Sequence, residues 1–294
     1  MLRKCCQCNS VRTKANLELV VGVILLLTAT HALAQFKSGT IIVVGWSEHK
    51  VVIASDSRGR EENGSYRDDS CKIVALNDKF LFASSGRPRD VTGGIVGWDA
   101  AEQAKTALTT ILKQAEGGTD SDSYFAKKVA DVWRNLMIKN INDHIRRQEV
   151  ARLKPKQIYV DGLFIAGGPV QSRVAYAVIA RNNDNAAFFL PELRVPSELS
   201  DKTTFNATGG ESAIFLEFLN DTSDRAKKER LITDRLSKKW TPQEADARMA
   251  IRLVDLVIKY GPPSDVGPPV DAAQLSVGHT IHWIQRKENC KRNQ

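Results

Sequence analysis

Thr40 to Arg58 reads TIIVVGWSEHKVVIASDSR. Thr40 to Val44 is a β-branched run, Trp46-Ser47-Glu48-His49 is polar and turn-like, and Val51 to Ala54 resumes the apolar run. β-branched side chains suit a pleated, half-buried surface, and a short polar break between two such runs predicts a hairpin. Residues 40 and 56 are equidistant from Glu48, so antiparallel pairing about that point places Thr40 opposite Asp56. A second hairpin follows. Lys72 to Leu76 turns at Asn77-Asp78-Lys79 and returns through Phe80 to Ala83, with its centre near residue 78 or 79. That puts Lys72 roughly opposite Gly86. Each hairpin carries its two distinctive residues at its open end. As neighbours in one sheet, the hairpins bring Thr40, Asp56, Lys72 and Gly86 to one edge.

These four residues form a chemical set. A threonine hydroxyl needs a base to take its proton before it becomes a useful nucleophile. Asp56 and Lys72 are charges able to tune it, and a glycine N–H approaches an oxyanion closely. Taken singly, each residue has an ordinary structural role. Charges are common at strand ends, threonine is frequent in strands, and Ser84-Ser85-Gly86 is turn sequence. The joint spacing of sixteen, sixteen and fourteen residues singles them out.

Beyond the hairpins the apolar period changes. Ala104, Ala107, Leu108, Ile111, Leu112 and Ala115 recur at helical spacing, stopped by Gly117-Gly118. A second helix begins near Ser123 with Val129, Val132, Trp133, Leu136, Met137 and Ile141 on one face; Pro155 marks its far side. Strands return over Tyr159 to Ala166, Arg173 to Arg181, Ala186 to Leu190 and Thr203 to Thr208. Gly209-Gly210 precedes a helical stretch through Leu219, and the charged run Asp221 to Lys239 reads as an exposed helix or excursion. Thr241-Pro242-Gln243-Glu244 has the form of a capping box with proline at the first helical position, and Gly261-Pro262-Pro263 ends the helix it opens. Gln274 to Ile284 reads as a final strand. The order is strands, two helices, strands, helices, strand, which two facing sheets with helix pairs outside satisfy.

The first 34 residues stand apart. Arg3, Lys4, Arg12 and Lys14 make a basic head, Leu19 to Ala29 an apolar core, and Ala32-Leu33-Ala34 a small-residue cleavage site. This is a secretory signal peptide, with an uncleaved membrane anchor as the alternative reading. Residues 35 to 39 are then a short extension, 40 to 288 a single domain, and 289 to 294 a tail. The signal segment holds four basic residues and one acidic, so without it the net charge falls from +8 to +5. That excess is spread along helical patterns such as Arg146-Arg147 and Lys227-Lys228, and no recognition motif points to nucleic acid. Outside the signal segment only Cys71 and Cys290 remain, enough for one disulfide in an oxidising compartment and too few for a zinc site. His279 and His282 are three apart in the final strand, so they point to opposite faces and make no metal pair. No glycine-rich phosphate loop is present, and no cofactor is expected. Asn63, Asn206 and Asn220 lie in N-x-S/T sequons.

Over residues 39 to 88 the chain resembles the catalytic β-type subunits of the proteasome and their simpler bacterial relatives. Gly39-Thr40 matches the point where that family cuts its own chain, Ala54-Ser55-Asp56-Ser57-Arg58 matches its A-D-S-R-like strand end, and Lys72 and Gly86 fall on its lysine and oxyanion glycine. The resemblance implies an α+β fold, a four-layer αββα sandwich of the N-terminal nucleophile (Ntn) hydrolase type. It implies a threonine-type peptidase with Thr40, Asp56, Lys72 and Gly86 as catalytic residues, acting on peptide or protein substrates. It further implies self-cleavage at Gly39–Thr40 and a homo-oligomeric ring. An Ntn amidase on a small amide and an inert assembly or binding subunit are the alternatives. The signal peptide makes the protein secreted or periplasmic, where no ATPase partner is expected. The chain departs from the family in two places. At Asn206-Ala207-Thr208-Gly209-Gly210-Glu211 a glycine stands where the family has a serine near the catalytic amine, with Thr208 a shift away. Ser264 and Asp265 are the nearest candidates for the aspartate and serine that follow its third helix.

Overall fold

The computed structural model describes residues 40–60, 66–68, 70–92, 95–114, 125–146, 159–167, 173–181, 188–189, 203–209, 212–263 and 266–291. The signal-peptide and extension readings, Gly39, Asn63, Gly117-Gly118, Pro155, Ser264 and Asp265 lie outside these residues. In chain order the strands are β1 (Ile41–Trp46), β2 (Lys50–Ser55), β3 (Gly59–Arg60), β4 (Tyr66–Arg67), β5 (Ile73–Asn77), β6 (Phe80–Gly86), β7 (Arg89–Thr92) and β8 (Ile95–Asp99). Two helices follow, α1 (Ala100–Gln114) and α2 (Phe125–Arg146), then β9 (Tyr159–Ala166), β10 (Arg173–Arg181), β11 (Phe188–Phe189) and β12 (Thr204–Gly209). The chain continues through α3 (Ser212–Leu219), α4 (Asp224–Ser237), α5 (Ala245–Tyr260), β13 (Asp271–Ser276), β14 (His282–Gln285) and the short α6 (Glu288–Lys291).

Among the described residues the strands form two five-stranded antiparallel sheets, ordered β12-β1-β2-β13-β14 and β11-β10-β9-β6-β5, and two small ribbons, β3-β4 and β7-β8. The two hairpins therefore belong to different sheets, a correction to the one-edge reading. Alternation of side chains then builds three cores. Ile42, Val44, Val51, Ile53 and Leu275 of the first sheet pack with Ile73, Leu81, Ala83, Leu163 and Ile165 of the second. On its other face the first sheet presents Ile41, Val43, Val52, Ala54 and Ala272 to α3, α4 and α5, through residues such as Phe215, Ala226, Leu253 and Val257. The second sheet presents Phe80, Phe82, Val160 and Phe164 to α1 and α2. Trp133 of α2 lies so close to β9 that a Cβ on Gly162 would stand 2.6 Å from its ring; the glycine admits the indole.

Local chemistry explains most boundaries. The Asp99 carboxylate accepts the Ala101 and Glu102 N–H groups and caps α1. The Ser223 hydroxyl accepts the Ala226 N–H and opens α4, so the charged run is a helix. The capping box at Thr241 does not form. Pro242 to Glu244 make a turn closed by the Glu244 N–H on the Thr241 carbonyl at 3.1 Å. The Glu244 carboxylate reaches forward to Arg248 instead of back. The final strand is two strands, β13 and β14, joined by a turn at Gly278 with φ +72°. His279 lies in that connection, so the argument from one continuous strand does not apply to it. Cys71 and Cys290 form a disulfide.

Candidate active site

Asp56, the first residue past β2, is fully buried. Its Oδ1 accepts from Lys72 Nζ at 2.7 Å and from the Ile41 N–H at 3.0 Å. Its Oδ2 accepts from the Arg58 N–H at 3.0 Å and the Gly267 N–H at 3.3 Å. A carboxylate persists away from water only when paired and hydrogen-bonded, and these donors meet that condition. The Arg58 guanidinium itself goes elsewhere, to Asp68 at 2.6 Å and to the Pro263 carbonyl.

The register of the first hairpin is one residue from the expected one. Ile42 pairs with Ser55, so Ile41 stands opposite Asp56 and exchanges backbone and side-chain bonds with it. The polar link holds the residue directly after Thr40. Thr40 is itself buried, 5% exposed. Continued one residue, the β1 alternation puts it on the side of Ile42 and Val44, toward the second sheet.

Lys72 directly precedes β5 of the second sheet. Its ammonium is held below the usual lysine pKa, chiefly because burial desolvates the charge; Asp56 opposes that shift and the nearby Lys287 charge adds to it. The second hairpin is also shifted. The Ser84 N–H donates to the Lys72 carbonyl at 3.1 Å, so Lys72 faces Ser84, and an irregularity near Asn77 absorbs the difference from the expected centre. Gly86 lies two residues further along β6, half-buried, with φ +81°, a conformation that favours glycine. Asp56 and Lys72 thus touch, Thr40 is one peptide unit from their contact, and Gly86 ends the strand beside Lys72.

Two further buried groups surround this set. Lys287 pairs with Asp271 at 2.9 Å, donates to Ser57 Oγ at 2.6 Å and to the Ser70 carbonyl, and ties the chain after β14 to the segments flanking Asp56 and Lys72. Asp161 of β9 accepts from Ser85 Oγ at 2.7 Å and from Thr208 Oγ1 at 2.6 Å, linking the second sheet to β12 of the first. Neither group follows from the hairpin arithmetic. Asp161 had a signal: it takes the inward position in a run whose next inward residues are Leu163 and Ile165. Lys287 had none, being one of several polar residues after the last strand.

Chemically, the arrangement offers a hydroxyl-bearing residue one peptide unit from a buried ion pair, and a glycine at the end of the strand that Lys72 faces. Among the described residues no helix is long and apolar enough to cross a membrane. Compared with models of known protein families and with curated proteins, the chain matches none.

Proposed function

We propose that the chain is a threonine-type peptidase of the proteasome-like Ntn-hydrolase class, with Thr40 as nucleophile once it becomes a chain end. One observation carries the reading: the Asp56 carboxylate bridges the Ile41 N–H and Lys72 Nζ, so a buried ion pair stands one residue from Thr40. Three apolar cores alternating with two sheets support the four-layer αββα form of the fold. The Cys71–Cys290 disulfide supports an oxidising compartment, in line with the signal-peptide reading. A homo-oligomeric ring rests on the resemblance alone.

Activation comes first. Thr40 Oγ attacks the Gly39 carbonyl carbon, and the peptide shifts to an ester as the C–N bond breaks and the amine takes a proton. Water then hydrolyses the ester and leaves a free Thr40 amine. A free α-amino group has a pKa of about 7.7–8.0, so a useful fraction is neutral near pH 7. It takes the Oγ proton, directly or through a water, as Oγ attacks the substrate carbonyl. Lys72, held by Asp56, favours the neutral amine and stabilises the developing alkoxide. The Gly86 N–H faces the oxyanion, a donor worth roughly 3–4 kcal/mol in comparable sites. Collapse breaks the C–N bond, the proton passes to the leaving amine, and water hydrolyses the acyl-threonine.

The test is the N-terminus of the mature protein, read by intact mass, beside hydrolysis of a peptide library. A chain beginning at Thr40 that cleaves internal peptide bonds is expected, and Thr40→Ala abolishes both. Active material that begins at Gln35 refutes the mechanism. A mature chain that reacts with no threonine-directed electrophile refutes the enzyme reading.

A further inference from the structure

Asp161 is an acid where the strand period asks for a hydrophobe. Along β9, Val160, Phe164 and Ala166 turn to the helices, and Leu163 and Ile165 turn to the opposite sheet. Asp161 shares the inward side and is fully buried. A buried carboxylate is costly and needs a reason. Two hydroxyls at the rim of the candidate site donate to it. Ser85 stands opposite it on β6, immediately before Gly86. Thr208 comes from β12, where it pairs with Ile42 of β1. Thr40 directly precedes β1, two residues before Ile42, so continuing the ladder makes Thr208 its diagonal neighbour on the same face.

We infer that Asp161 is a positioning residue for hydrolysis at Thr40, orienting the amine through Thr208 and the oxyanion donor through Ser85. The inference rests on the peptidase reading. A Thr208 hydroxyl whose proton is committed to the carboxylate turns its oxygen lone pairs elsewhere. It can then accept an N–H of the Thr40 amine and aim the amine lone pair at Thr40 Oγ. The bond from Ser85 Oγ fixes the residue whose peptide link to Gly86 carries the oxyanion donor. One carboxylate thereby holds two groups that must be aligned together, and small misplacement of such groups costs on the order of a hundredfold in rate. This acid comes from β9 of the second sheet.

The test uses labelling of Thr40 by a peptidyl vinyl sulfone, followed by intact mass from pH 6 to 9. Rates are normalised to the fraction of chain cut at Gly39–Thr40. Variants are Asp161→Asn, Thr208→Val and Ser85→Ala, with peptide hydrolysis measured alongside. Thr208→Val is expected to lower the labelling rate and kcat about tenfold to a hundredfold, leave KM within about twofold, and move the acid limb of the pH profile. Asp161→Asn should do the same, and the double variant should be no worse than the more damaged single one, because the two act as a unit. Ser85→Ala should lower kcat without moving the acid limb. Wild-type rates and pH profiles in Thr208→Val and Asp161→Asn overturn the inference and leave the peptidase reading standing. If Asp161→Asn does not fold, wild-type behaviour of Thr208→Val and Ser85→Ala overturns it equally. An unlabelled wild-type chain overturns both.

Discussion

Asp56→Asn is the sharpest test of the buried pair. The substitution keeps the shape and removes the charge, leaving the Lys72 ammonium without its carboxylate at a side chain only 7% exposed. Removing one partner of a buried pair costs about 3–5 kcal/mol. Lys72 can relieve this by losing its proton. An unperturbed lysine titrates near 10.4, so at pH 7.5 neutralisation costs at most about 4 kcal/mol. Burial already holds this lysine below that value, so the cost is lower. The sign of the pH dependence follows. In the variant the folded state carries a neutral lysine while the unfolded state stays protonated up to about pH 10.4, so unfolding takes up a proton. Stability therefore rises with pH between the two pKa values, and the deficit against the parent shrinks from pH 7 to 9.5. Urea unfolding followed by tryptophan fluorescence measures this, with every chain carrying Thr40→Ala so that all share one N-terminus. Lys72→Met completes a double-mutant cycle, and the double variant should be more stable than Asp56→Asn alone, with a coupling of about 2 kcal/mol or more. Single effects that add within about 0.5 kcal/mol, with a deficit independent of pH, would falsify the argument.

Three further outcomes are expected. The pH profile of kcat/KM should rise with deprotonation of the Thr40 amine, from a pKa at or below about 7.7–8.0. It should fall as Lys72 loses its proton, below the ordinary lysine value; an alkaline limb at or above the ordinary value argues against a buried Lys72. Reduction of Cys71–Cys290, or Cys71→Ser with Cys290→Ser, should destabilise the fold by about 5 kcal/mol on the chain-entropy estimate for residues 219 apart. Denaturant midpoints with and without reductant measure that, and equal midpoints refute it. Gly162→Ala drives a methyl group into the Trp133 ring at 2.6 Å and should cost about 1–3 kcal/mol, visible as a lowered thermal midpoint.

Periodicity made much of the architecture legible. The apolar run of Tyr159 to Ala166 and the helical spacing from Ala104 mark elements that form there, because β9 meets a core on each face and α1 turns one face to a core. The failures have local causes. Hairpin arithmetic assumes a symmetric turn, and a half-residue shift of the centre put Ile41 in the place expected for Thr40. The strand-like alternation of Leu275, Val277, Ile281 and Trp283 hid the turn at Gly278. Glu244 had the right spacing for a capping box but a nearer cation in Arg248. Sheet membership was the largest gap, since nothing within a hairpin states which strand lies beside it.

That gap changes what the site is. Two hairpins in one sheet would hold Thr40, Asp56, Lys72 and Gly86 by backbone ladders alone. In facing sheets the set depends on bonds that cross the interlayer. Through most of its depth this interlayer is apolar, from Ile42, Val44 and Ile53 on one side to Leu81, Leu163 and Ile165 on the other. Apolar contact is non-directional and tolerates sliding. At the site the crossings become directional: Lys72 on Asp56, and Asp161 on Thr208. These bonds fix the offset of one sheet against the other where the proposed nucleophile, cation and oxyanion donor must align. Loss of either crossing should therefore lower the rate before it lowers the thermal midpoint in proportion. Rate and stability measured on Thr208→Val and on a core variant of equal destabilisation, such as Ile165→Val, separate the two. Equal losses of rate would mean that the crossings only hold the sheets together.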